Sequence, residues 1–266
     1  MMAVMTRMWR DRWRMFAAVT GIGLMTMLMY VSLFPTYQKT LAQSGQIYRQ
    51  LPEALKKAFN IQSFSFDTLE KFLNIEMYSL FWIILTLVLV ISLAKSSLAG
   101  AIEHETIVQT LAQPVSRRTA YLGKFLMAAK IFTVFNLIVN ASVFPLATTF
   151  HLTIQPSHFV IVTVMCELFG LALLGLGFSV SSWMSEEGRV NMTLSGIILI
   201  MYVLNIVSGI QPKIDGLKYA SLFHYFNPYQ FLVNGQYDPT AIVVFSGLTI
   251  VGFAIGLWRF TTRDVS

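Results

Sequence analysis

Six long apolar runs with almost no charge constrain the fold of this chain more than any other feature. Each has about the twenty residues that a helix needs to cross a bilayer, and a backbone in lipid must satisfy its own hydrogen bonds. The chain is 55% hydrophobic and 12% charged, which excludes an ordinary soluble domain. We predict one all-α integral membrane domain over 1–266 with six transmembrane helices. The predicted spans are 15–34, 77–98, 125–150, 159–183, 190–211 and 240–258.

The distribution of Lys and Arg predicts the orientation of these helices. With both termini in the cytoplasm, twelve basic residues fall on the cytoplasmic side and seven outside. The short loops then obey the positive-inside rule. The net charge of +6 therefore indicates an anionic membrane surface, and not nucleic acid, as the partner of the basic residues.

The residues that flank the first run predict two surface elements. Trp9 and Trp13 share a helical face among arginines, which indicates an interfacial elbow helix over 1–14. A basic flank that only sets the topology is the alternative. Pro35 is expected to close the first span. The external segment 36–76 would then carry two small surface helices, one over 51–59 with Pro52 in its first turn and one that Asp67 caps.

A second external segment, 212–238, is too aromatic for a solvated loop and too broken for a span. Its centre is Phe226, Asn227, Pro228 and Tyr229. Re-entrant half-helices buried in protein would explain this composition. An aromatic belt at the membrane interface explains it equally well.

Glu167 lies close to the middle of the fourth run, where a carboxylate is costly and faces the bundle interior or a wet cavity. Asn136, Asn140 and Asn205 are its candidate partners, and we predict these four residues as a candidate translocation path. A protonated structural glutamate is the alternative. An ion-driven secondary transporter or channel coupled through Glu167 is a second functional hypothesis, although neither a repeat nor another midplane charge accompanies it.

No motif indicates catalysis or metal binding. His104 and Glu105 lack the second histidine of a zinc helix. The other histidines lack a carboxylate or cysteine at ligand spacing, and the sequence has no Gly-x-x-x-x-Gly-Lys-Ser/Thr phosphate loop. We expect no catalytic residue, no metal site and no cofactor bound by this chain.

A polar stretch, 99–118, separates the second and third runs. Its apolar residues recur at helical spacing, which predicts a short amphipathic helix along the membrane surface. Pro114 is expected to end that helix, and Ser116 to cap the next one, which begins at Arg117. A lateral helix between two spans suits a soluble motor that pushes on a membrane domain. An ordinary loop without a partner is the alternative.

The residue order of this stretch resembles the cytoplasmic loop of ABC-2 type transporter permeases. Those proteins tend to carry Glu-x-Gly-Thr-x-x-x-Leu-Leu-x-x-Pro-x-Ser-Arg followed by Gly-Lys. This chain has Glu103, Thr106, Leu111, Pro114, Ser116, Arg117, Gly123 and Lys124 in that order, with Glu105 in place of the family's glycine. The resemblance implies a coupling helix that contacts an ATPase. Its candidate contacts are Ile102, Glu103, His104, Glu105, Thr106, Leu111, Pro114, Arg117 and Arg118.

The resemblance also implies partners and an activity. The chain would be the permease subunit of an ATP-driven exporter in the plasma membrane of a bacterium. It would assemble with a second permease copy or a paralogue and with two ABC ATPase subunits, which bind the ATP and Mg²⁺. Its cargo would be a drug, an antimicrobial peptide or a lipid-like molecule. The family also carries a re-entrant element between its last two spans, which favours that interpretation of 212–238.

Overall fold

The computed structural model describes residues 2–44, 67–103, 116–210 and 212–263. Six of its helices are long and apolar enough to cross a membrane, and the described residues contain no strand. This confirms the predicted all-α fold with six membrane-spanning helices. Span 1 is Met2–Ser44, span 2 is Leu69–Glu103, span 3 is Arg117–Thr149, span 4 is Pro156–Trp183, span 5 is Glu187–Ile210 and span 6 is Pro239–Thr262.

Two spans are built from several helical pieces, and short helices join spans 5 and 6. Span 2 contains Leu69–Leu73, a π-helical stretch Asn74–Phe81, then Trp82–Ser97 and Ala99–Glu103. Span 3 is interrupted at Ser142 into Arg117–Ala141 and Val143–Thr149. The connection from span 5 to span 6 holds a 3₁₀ helix Pro212–Ala220, an α-helical turn Leu222–Tyr225 and a π-helical turn Tyr229–Val233.

The first span differs from its predicted boundaries. Pro35 lies inside the helix, which continues to Ser44, so the expectation that this proline ends the span is wrong. Proline is tolerated within apolar helices because neighbouring groups can satisfy the carbonyl that it frees. Residues 2–14 belong to the same helix and form no separate element. Whether they lie along a membrane surface stays a prediction.

The start of span 2 corrects a second expectation. Thr68, and not Asp67, is the N-cap, since its hydroxyl accepts from the backbone N–H of Lys71 at 3.4 Å. Asp67 instead pairs with the Lys71 ammonium at 2.9 Å. The helix that begins here runs directly into the span and is not a surface helix, because Leu69, Phe72 and Leu73 are buried in the core. Residues 45–66 lie outside the described residues.

Spans 2 and 4 form the centre of the bundle. In span 2, 61% of the most apolar window is buried, against 17% in span 5 and 22% in span 6. The core between them includes Trp82, Phe132, Phe169 and Phe178, all fully buried. Spans 1, 5 and 6 therefore offer most of the apolar surface that a bilayer or another subunit can cover.

Candidate functional site

Six chain segments meet at one end of the bundle, which we call the loop end. Spans 2, 4 and 6 finish there and spans 3 and 5 begin there, and contacts described below bring the start of span 1 to the same end. The described residues of the polar stretch, 99–103 and 116–118, lie here. Within it, His104, Glu105, Thr106, Leu111 and Pro114 lie outside the described residues, so their predicted roles stay predictions.

Glu103 joins the last turn of span 2 to the first turn of span 5. Its carboxylate Oε2 accepts a hydrogen bond from the backbone N–H of Glu187 at 2.6 Å. The first N–H groups of a helix have no partner inside the helix and carry partial positive charge, so a carboxylate stabilises them. Ile102, one residue earlier, packs half-buried against the core. The described part of the predicted coupling helix is thus attached to span 5.

The side chain of Glu187 connects this junction of spans 2 and 5 to span 1. Its carboxylate lies 3.8 Å from Arg12 and 3.7 Å from Lys95, all three side chains being partly exposed. A Cβ on Gly100 would lie 2.1 Å from Glu187 Oε1, so glycine lets the carboxylate approach the helix backbone. In the sequence, Arg12 and Lys95 contribute only to the basic residues that set the orientation, and neither Gly100 nor Glu187 stands out.

Hydrogen bonds slightly farther inside the bundle from the loop end join spans 2, 3 and 4. The buried ammonium of Lys124 donates to the backbone carbonyl of Ser97. The backbone N–H of Ala99 donates to the Ser181 hydroxyl at 3.2 Å. Ser116 caps span 3 as predicted, because its hydroxyl accepts from the N–H of Thr119 at 3.2 Å.

The end of span 6 is hydrogen-bonded to the turn between spans 4 and 5. The Arg263 guanidinium donates to the carbonyls of Ser182 and Met184 at 3.3 and 3.0 Å, and also to the Ser185 hydroxyl. Burial, and then the charge of Arg259, lower the pKa of Arg263.

Arg117 and Arg259 make two further contacts at the end of span 6. The Arg117 guanidinium donates to the carbonyl of Arg263, and that of Arg259 lies 4.7 Å from the centroid of the Trp183 ring. Arg117 links spans 3 and 6 in this structure, and its contact with an ATPase stays a prediction. The partner residue Arg263 carried no sequence signal beyond its charge.

A chain of hydrogen bonds crosses the middle of the bundle and ends at Glu167. The Thr133 hydroxyl donates to Glu167 Oε1 at 2.6 Å, and Asn136 Nδ2 donates to Glu167 Oε2 at 3.0 Å. Asn140 Nδ2 donates to Asn136 Oδ1 at 2.7 Å, and the Tyr78 hydroxyl donates to Asn140 Oδ1 at 2.6 Å. The structure therefore brings together three of the four predicted path residues.

Asn205 does not join this chain. It lies half-buried on span 5, and none of the hydrogen bonds among the described residues links its side chain to Glu167. Both oxygens of Glu167 already have donors, and both donors belong to span 3. Whether any of the four residues lines a translocation path stays a prediction.

The connection before span 6 reaches into the bundle. Phe226 is buried, with its ring 4.6 Å from Phe169 and stacked on Trp82 at 5.5 Å between centroids. Phe169 lies about half-way along span 4. Beyond Phe226, Asn227 Oδ1 accepts from the N–H of Gln230 at 3.3 Å, and Pro228 precedes the helical turn that begins at Tyr229.

Within the described ranges, no group of three His, Cys, Asp or Glu side chains is placed to hold a metal ion. The arrangement instead combines helix ends tied by polar contacts with a core of apolar spans. Such an arrangement suits the transmission of movement between helices, and it defines a multi-pass helical membrane protein.

The family follows from a comparison with known proteins. The sequence profile of the family described as ABC-2 family transporter protein matches residues 5–265. The chain belongs to this family, whose members are membrane transport subunits that generally partner with ABC ATPase subunits. This confirms the resemblance carried by the 99–118 stretch. A comparison with curated proteins found no match.

Proposed function

We propose that this chain is the permease subunit of an ATP-driven exporter whose loop end faces the cytoplasm. The observation that carries the proposal is the hydrogen bond from Glu187 N–H to Glu103, because it attaches the 99–118 stretch to the first turn of span 5. A push on that stretch would reach span 5 directly. Through Arg12 and Lys95 it would reach spans 1 and 2 as well.

The proposed assembly contains two ABC ATPase subunits and a second permease copy or paralogue in a bacterial plasma membrane. ATP and Mg²⁺ belong to the ATPase subunits, and this chain binds no cofactor. ATP binding and hydrolysis would shift the bundle between two packed states, which is a rigid-body mechanism and not bond chemistry on this chain. The cargo is a hydrophobic or amphipathic molecule such as a drug, an antimicrobial peptide or a lipid-like compound.

We further propose that 212–238 is re-entrant and not an interfacial belt. The contact of Phe226 with Phe169 supports this, because Phe169 is 13 residues from the Pro156 end of span 4, about 20 Å along a helix. An interfacial belt would contact residues near the ends of the spans.

The assembly is tested by affinity purification of the tagged chain from membranes of its own cells. An ABC ATPase is expected to co-purify in equal amount, and ATP is expected to drive cargo movement in proteoliposomes of that complex. Cargo movement by the purified chain alone, without nucleotide, would contradict the proposal.

A second candidate, an ion-coupled transporter, is favoured by one observation, the hydrogen-bonded Glu167 in mid-span. Glu167→Gln separates the two functions. The amide oxygen of Gln can accept from Asn136, and its NH₂ can donate to Thr133, whose own hydroxyl can donate to the Ala129 carbonyl 2.9 Å away. The variant therefore keeps every hydrogen bond while losing the titratable group.

For an ATP-driven exporter we expect Glu167→Gln to keep ATP-dependent transport within about twofold of the unsubstituted chain. The measurement is cargo flux in proteoliposomes with and without an imposed proton gradient. If flux follows the gradient and disappears in Glu167→Gln, the ion-coupled function is correct and the leading proposal is not.

A further inference from the structure

A cavity of about 460 Å³ lies between the start of span 1 and residues 127–134 of span 3, in the half of that span nearer the loop end. Its volume is within the range of about 300–1,000 Å³ that small-molecule sites occupy. The described lining is apolar except for one hydroxyl, one indole N–H and one ammonium group. It consists of Met2, Met5, Thr6, Trp9, Met127, Lys130, Ile131 and Val134.

The cavity is open to the outside of the bundle. Met2 is 85% and Trp9 39% exposed, although both are large apolar side chains. Because the lining belongs partly to a spanning helix, the molecules that reach this opening first are those of the bilayer. An apolar chain entering here would cover side chains that the described protein leaves uncovered.

Lys130 is the charged group of the described lining. Its side chain is exposed, and among the described residues it makes neither an ion pair nor a hydrogen bond. The Thr6 hydroxyl already donates to the Met2 carbonyl at 3.0 Å. Lys124 on the same helix shows the contrast, because its ammonium is buried and donates to Ser97. A cation inside a span is costly unless it finds a partner.

The position of Lys130 suits a phosphate group at the membrane boundary. It lies five residues after Phe125, where the third span is predicted to begin, about 8 Å along the axis, and the flexible side chain can carry its ammonium back towards the loop end. The facing segment of span 1 adds Arg7, Arg10, Arg12 and Arg14 against one acid, Asp11, and Arg12 pairs with Glu187. None of these arginines lines the cavity, but the segment beside it carries a net positive charge.

We propose that this cavity binds one anionic phospholipid of the bilayer, with an acyl chain among the methionines and the phosphate on Lys130. The bound lipid would fasten the start of span 1 to span 3. The proposal is independent of transport, because it requires nothing of the chain beyond its place in a membrane.

The test counts lipids retained by the detergent-solubilised full chain in native mass spectrometry. The probes are dioleoyl phosphatidylglycerol and dioleoyl phosphatidylcholine, which share their chains and differ in charge. We expect one phosphatidylglycerol to be retained at concentrations where phosphatidylcholine is not. Lys130→Ala should weaken that binding about fivefold, and Val134→Phe should weaken it by filling the cavity.

Two matched variants control for charge and for bulk. Lys218→Ala removes a cation before span 6, and Val243→Phe makes the same enlargement on a side chain of span 6 that is 71% exposed. Both should retain the lipid as the unsubstituted chain does. Equal retention of the two lipids, or unchanged binding in both Lys130→Ala and Val134→Phe, would overturn the proposal. Displacement of the lipid by equimolar oleate would also overturn it, since the ligand would then be a single-chain anion.

Discussion

Gly252→Ala is expected to lower the free energy of unfolding by about 2–3 kcal/mol, because spans 4 and 6 touch through their backbones at this residue. A Cβ on Gly252 would lie 2.5 Å from the carbonyl carbon of Gly175 and 2.6 Å from its oxygen. On span 4, a Cβ on Gly175 would lie 2.9 Å from the carbonyl oxygen of Thr249 in span 6. Backbone atoms cannot move aside as a flexible side chain can, so the two helices must separate.

Gly247→Ala is the matched control on the same helix. A Cβ there meets nothing within 4 Å, so the substitution adds only helix propensity, worth up to about 1 kcal/mol. Both variants are compared by equilibrium unfolding in mixed micelles, followed by circular dichroism. If the two substitutions shift the transition equally, the close contact of spans 4 and 6 is wrong.

Glu103→Ala is expected to reduce ATP-driven transport about tenfold. The alanine cannot accept from Glu187 N–H, and the loss of such a cap costs about 1–2 kcal/mol, which changes an equilibrium by about that factor. A movement of the 99–118 stretch would then be transmitted less completely to span 5. The measurement is cargo flux per ATP hydrolysed in proteoliposomes of the complex with its ATPase.

Two variants separate the hydrogen bond from the charge. Glu103→Gln keeps an oxygen that can accept from Glu187 N–H, so it should retain most of the flux per ATP. Glu186→Ala removes an exposed acid next to Glu187 that pairs with Arg189, and it should leave coupling unchanged. If Glu103→Ala couples as well as Glu103→Gln, force is not passed through this hydrogen bond.

The candidate site was only partly predictable from the sequence. Glu103, Arg117 and the Ser116 cap were identified from the order of polar residues. Their described partners were not, because the Glu187 N–H and the Arg263 carbonyl are backbone groups far away in the chain. A backbone donor or acceptor leaves no sequence signal.

The same limit applies at the other end of span 2. Glu70 is buried and accepts from the backbone N–H of Gln155 at 2.8 Å, immediately before span 4 begins. Glu103 does the same for span 5. A carboxylate near each end of span 2 therefore holds the start of another span, although the two acids look unrelated in sequence. Helix starts carry unpaired N–H groups, but which acid reaches them depends on packing.

The sequence by itself determined the number of spans, the all-α class and the family, because hydropathy over about twenty residues and one polar motif are local properties. The tertiary structure decided where span 1 ends, that Asn136 and Asn140 join Glu167 while Asn205 does not, and which helix ends meet. These features depend on contacts between residues far apart in the chain. A neighbouring helix decides whether a proline is tolerated within a span, which amide pairs with a carboxylate, and which side chain caps a helix.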